Sequence, residues 1–126
     1  MTRLEALLDA ISAYNGFKDP DSHAYQARNP LMLKEFERGI YRDRLRRFRS
    51  LVHGIQAGIF DLNVKCSGKS NAKLEEHTLQ GLMRVYSLPD GTANYVARYL
   101  RKALKDNAIK ETTELKYFVE KQNGRC

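Results

Sequence analysis

The sequence predicts an all-α fold, a single compact bundle of about five helices around one long helix at about residues 40–64. Three observations predict it. Tyr41, Leu45, Phe48, Val52, Ile55, Ile59 and Leu62 recur every four or three positions, a spacing that keeps side chains on one helix face and suits packing along a partner helix. Thr2 and Glu5 have capping-box spacing ahead of an apolar stripe. Residues 92–105 set Ala93, Val96, Ala97, Leu100, Ala103 and Leu104 at helical spacing, to face inward. At 126 residues the chain has the size of one domain with a real core.

The first helix carries Leu4, Leu7, Leu8, Ile11 and Tyr14, and Asn15-Gly16 stops it. Residues 15–29 read as a polar connection, packed or flexible, with turn residues at Asp19-Pro20 and Asp21-Ser22. Asn29-Pro30 then reads as a helix start, followed by Leu31, Met32, Leu33 and Phe36. Gly39 either ends this short helix or bends the chain before the long one.

Gly54 and Gly58 fall on one face of the long helix, where they either admit a close neighbour or mark a kink. Residues 66–71 form a turn-rich break. A helix from Leu74 to Tyr86 follows, then a turn at Ser87-Leu88-Pro89-Asp90-Gly91 and the helix from Thr92 to Lys105. Leu115 to Val119 is a short helix or strand, and residues 121–126 are a tail.

The formal charge of +7 is concentrated in two windows. Residues 38–49 hold six arginines against one acid, Asp43. Residues 90–105 hold Arg98, Arg101, Lys102 and Lys105 against Asp90. A localised positive field points to an acidic partner, most commonly nucleic acid. Glu5 and Asp9 interrupt the N-terminus, so no secretory signal is expected, and no apolar run reaches the ~18 residues of a membrane span. Cys66 and Cys126 are far apart and form no disulfide framework. These points lead to an expectation of free thiols in a cytoplasmic protein with no membrane partner.

Residues 78–100 resemble a helix-turn-helix DNA-binding unit over about a fifth of the chain. The resemblance implies a first helix ending near Tyr86, Leu88 buried in the turn, and Val96 and Leu100 anchoring a second helix. Its exposed face would carry Thr92, Asn94, Tyr95, Arg98, Arg101, Lys102 and Lys105. That set mixes base-reading with phosphate-binding side chains. The turn holding Pro89, Asp90 and Gly91 is longer than the tight turn of the motif. An ordinary pair of bundle helices with a solvated basic face gives the same pattern.

On the long helix, Arg38, Arg42, Arg46 and Arg49 would align as one stripe, with Arg44 and Arg47 beside it. Asp43 would pair with Arg47 and Glu35 with Arg38. The arginine fork suits phosphate and carboxylate, although a solvated face whose stems cover apolar surface also fits.

Gly68-Lys69-Ser70 lacks the upstream glycine of a phosphate-binding loop, since position 63 is Asn63. His23, His53 and His77 have no ligand spacing with each other or with either cysteine. The reading is therefore a non-enzymatic protein without metal or cofactor. It would bind nucleic acid, DNA before RNA. Asn94, Tyr95 and Arg98 would reach bases, and Arg42, Arg46, Arg49, Arg101, Lys102 and Lys105 would hold phosphate. The alternative is a protein–protein adaptor or inhibitor, of the phage or mobile-element type, docking its arginines on an acidic partner. A homodimer through the 41–62 seam is a further possibility, with packing inside one chain slightly preferred.

Overall fold

A computed structural model describes residues 1–38, 40–69, 74 and 76–120, with backbone alone at 36, 37 and 40–42. The first helix, α1 (Arg3–Tyr14), forms as its cap predicts. Thr2 Oγ1 accepts from the Glu5 amide at 3.0 Å, and Glu5 Oε1 accepts from the Thr2 amide at 2.7 Å. These bonds satisfy two donors that a helix start leaves free. Ala6, Leu7, Ala10 and Ile11 are wholly buried. Both longer helices of the C-terminal two-thirds pack on α1, so it holds the centre that the sequence reading gave to residues 40–64.

Residues 15–29 contain the short helix α2 (His23–Gln26), capped by Ser22, whose hydroxyl also donates to the Gly16 carbonyl at 2.6 Å. The helix expected from Pro30 and the N-terminal half of the long helix are both absent. In their place stands an antiparallel hairpin, β1 (Lys34–Glu37) with β2 (Ile40–Leu45), so the fold is mostly helical with a small two-stranded sheet rather than all-α.

Phe36 pairs with Tyr41 and Glu37 with Ile40, and of these Phe, Tyr and Ile are residue types that favour strands. Arg38 between the strands has φ 54°, the left-handed backbone of tight hairpin turns. The role proposed for Gly39 lies outside the described residues. The acids pair across the ladder instead of along a helix. Lys34 Nζ meets Asp43 at 3.2 Å and Arg44 Nε meets Glu35 at 2.8 Å. Exposed pairs of this kind contribute up to about 1 kcal/mol.

The long helix starts eleven residues later than its predicted beginning at 40, as α3 (Leu51–Cys66), with Ser50 accepting from the His53 amide at 3.2 Å. It runs unbroken through both glycines, which serve close approach rather than a kink. A Cβ at Gly54 would overlap the Arg28 carbonyl oxygen, and one at Gly58 would lie 2.9 Å from Leu8 Cδ1 of α1. The glycine face is thus used within the chain.

Two further helices follow, α4 (Leu79–Val85) and α5 (Thr92–Leu104). The first begins five residues later than expected. Leu74 lies outside any helix, and Thr78 caps α4 while bridging to Glu114. The apolar cluster at 115–119 becomes a 3-10 helix, Leu115–Phe118. Arg3 ties it to α1, donating to the Tyr117 carbonyl at 3.0 Å with its guanidinium over the Tyr117 ring at 3.9 Å. Leu7, Ile11, Leu62, Leu82, Leu100 and Leu115 lie fully buried in one core.

Candidate nucleic-acid interface

The inner face of α5 is built from Thr92, Ala93, Val96, Ala97 and Leu100, all buried. Ala103, expected inward, is exposed near the helix end. Val96 and Leu100 anchor the helix as predicted, and partly buried Leu88 packs on the same core from the turn. With the inner face fixed, 100° per residue places Asn94, Tyr95, Arg98, Arg101, Lys102 and Lys105 together on the other side. Asn94, Tyr95, Arg98, Lys102 and Lys105 are exposed there. Thr92 is not, because it is buried and its hydroxyl donates to the Pro89 carbonyl at 2.7 Å.

Two members of this face are held in place. Arg101 is half-buried, and its Nη1 donates to the Ile109 carbonyl at 2.8 Å, so it acts partly as a structural tie. Tyr95 meets the Tyr14 ring edge-on at 5.4 Å. Arg98, Arg101, Lys102 and Lys105 line an open depression of about 470 Å³ with Asn107. A smaller notch, of about 260 Å³, is formed beside it by Tyr95, Arg98, Tyr99 and Lys102.

No acid occurs anywhere in α5. The next acid along the chain, Asp106, accepts from the Tyr117 hydroxyl at 2.6 Å and from the Ala108 amide at 3.0 Å, so it is already engaged. The Tyr117 hydrogen bond and then the Ala108 amide hold its carboxyl below the usual carboxylate range. Burial, followed by the bond to Asp106, pushes the Tyr117 phenol up. Asp106 therefore stays ionised near the end of α5, and Glu111 borders a groove with Asn94 and Arg101, so the positive field of the outer face is compensated only in part.

The second predicted basic group is built differently from the helical stripe of the sequence reading. Arg46, Arg47 and Arg49 lie on the extended connection between β2 and α3, and the side chain of Arg42 lies outside the described residues. The connection is fixed by its backbone. Arg46 N–H donates to the Leu33 carbonyl at 2.9 Å and Phe48 N–H to the Ala27 carbonyl at 2.9 Å. The Arg46 guanidinium covers the Phe48 ring at 4.6 Å. Among the described residues no acid lies within ion-pair distance of Arg46, Arg47 or Arg49.

These arginines edge an apolar surface. Val52, expected in the buried seam, is 61% exposed, and Phe60 is 70% exposed. The sequence signal that was missed is the apolar character of α3 on both faces. Gly54, Gly58 and Leu62 turn inward, while Val52 and Phe60 turn out. The two basic groups belong to different elements, the approach to α3 and α5 itself, and both helices pack on α1.

A third cluster is internal. Lys65, 5% exposed, donates to Asp61 at 2.6 Å, and Asp61 also accepts from the Tyr86 hydroxyl. Cys66 beside it is buried, and desolvation pushes its thiol up to about 12. Among the described residues no three metal-ligating side chains converge, and no helix is long and apolar enough to cross a membrane. Comparison with protein-family models, curated proteins and solved structures found no match.

Proposed function

We propose that this protein binds nucleic acid, duplex DNA foremost, through the outer face of α5. The observation that carries the reading is the arrangement of that face. Exposed Asn94, Tyr95, Arg98, Lys102 and Lys105 share it with half-buried Arg101, and no acid lies on the helix.

An α-helix fits the DNA major groove, where Asn reads adenine and Arg reads guanine in bidentate fashion. Asn94 and Arg98, one turn apart, supply those two types, while Lys102, Lys105 and Arg101 meet the flanking phosphates. Arg101, already oriented by the Ile109 carbonyl, loses less freedom on binding than a free side chain. The preceding helix α4 packs on α5, in the manner of the first helix of a helix-turn-helix. The connection from Tyr86 to Gly91 is longer than the 3–4-residue turn of that motif.

A salt titration of binding to a random-sequence duplex tests the reading. Three to five neutralised phosphates give a slope of log K against log[salt] of about −3 to −4.5. Absence of duplex affinity at about 50 mM salt, or affinity for structured RNA alone, overturns the DNA assignment.

A further inference from the structure

We propose that the face formed by Arg46–Arg49 and the outer side of α3 is a second, separate interaction surface, whose partner is an acidic amphipathic segment of another protein. Arg46, Arg47, Phe48, Arg49, Ala57 and Phe60 line an open groove of about 650 Å³, and among the described residues no aspartate or glutamate lines it. Among the described residues, Val52 and Phe60 are the most exposed large apolar side chains after Met1. Leu51 and Ile55, 44% and 41% exposed, lie about 180° and 140° around the helix from Phe60 and are not part of this face. A helix with this much apolar surface turned to solvent marks an interaction site rather than a solvated face.

Charge selects the occupant. A second copy presenting the same face would bring no carboxylate for these arginines, since none is among the described lining residues of the groove. Phosphates alone would satisfy the arginines and leave Val52 and Phe60 in water. An amphipathic helix with carboxylates beside an apolar stripe satisfies both, its apolar residues over Phe60 and Val52 and its acids on the arginine forks.

The surface is also preorganised. The hydrogen bonds to Leu33 and Ala27 fix residues 46 and 48, and the Phe48 ring seats the Arg46 guanidinium. Binding then orders little backbone. The groove and the depression beside α5 share no lining residue, so this partner and the nucleic acid proposed for α5 need not compete.

Panning a random dodecapeptide phage library on the full chain tests the proposal. The expected winners combine Asp or Glu with Leu, Phe or Trp. A synthetic representative should lose at least about tenfold affinity to R47E/R49E, and separately to V52S/F60S, a loss of about 1.4 kcal/mol or more. It should keep its affinity for R98A/K102A. All four exposed substitutions should leave the circular dichroism spectrum and thermal midpoint unchanged. Winners without acids, or winners insensitive to both double variants, overturn the proposal. So does a stable dimer that V52S/F60S dissociates, or binding of anionic lipid vesicles or single-stranded oligonucleotides that competes fully with the peptide.

Discussion

The Asn29 carboxamide donates to the Arg46 carbonyl at 2.8 Å, joining the turn after α2 to the arginine segment that follows β2. The same side chain donates to the Leu33 carbonyl and accepts from the Leu33 amide, both at 2.9 Å. Asn29 is wholly buried, so all three bonds are made away from water. Asn29→Ala should destabilise the protein by roughly 3 kcal/mol, because it strands backbone groups that cannot reach solvent. Urea denaturation measures the loss. A change below about 0.5 kcal/mol would mean that the hairpin base is held by other contacts.

The two helical glycines of α3 should respond differently to alanine. At Gly54 a methyl group meets the rigid Arg28 carbonyl, so Gly54→Ala should cost about 2 kcal/mol or more. At Gly58 it meets the end of the Leu8 side chain, which can rotate away, and the helix gains about 1 kcal/mol of propensity. Gly58→Ala should therefore be near neutral. Thermal denaturation of both variants checks the order, and equal losses would contradict the close approach at Gly54.

The buried pair of Lys65 and Asp61 predicts an asymmetry. Asp61→Ala leaves a buried ammonium without its carboxylate and should cost about 3 kcal/mol. Lys65→Met keeps the volume and leaves Asp61 with the Tyr86 hydroxyl, so it should cost within about 1 kcal/mol. Denaturant midpoints that fall equally for the two variants would contradict this account.

Cys66 gives a pH prediction. Its folded pKa, raised to about 12 by burial, lies above the free-thiol value of about 8.5. The stabilisation is therefore complete below about pH 8.5 and is lost as pH rises from there toward the folded pKa. In a Cys126→Ser background the native protein should react with a thiol reagent at pH 8 far more slowly than the urea-unfolded chain. Equal rates would place Cys66 at the surface.

Much of this fold was legible in the sequence where local signals and tertiary packing agree. The Thr2 capping box, the stop at Asn15 and the inward set Val96, Ala97 and Leu100 all form as the spacing predicted. The hairpin was misread because Tyr41, Leu45, Phe48 and Val52 continue a four-residue period into a real helix. That period outweighed the strand preference of Phe36, Ile40 and Tyr41. Asn29 misled for a related reason. An asparagine before proline is a good helix cap, and here a buried tie to residues distant in sequence took its side chain. The exposure of Phe60 was hidden because periodicity reports that a face is apolar, not which surface covers it. Of the candidate site residues, Asn94, Tyr95, Arg98, Lys102 and Lys105 stand together and exposed, while the Ile109 tie of Arg101 needed the tertiary structure to be seen.

Fluorescence anisotropy on a labelled random duplex, comparing R98A/K102A with R46A/R47A in the same salt series, tests the central claim most directly. Loss of Arg98 and Lys102 should weaken binding at least about tenfold and flatten the salt slope by about 1, for the one phosphate contact that Lys102 makes. Loss of Arg46 and Arg47 should leave both nearly unchanged. If the second variant abolishes DNA binding and the first does not, α5 is not the nucleic-acid surface and the account is wrong.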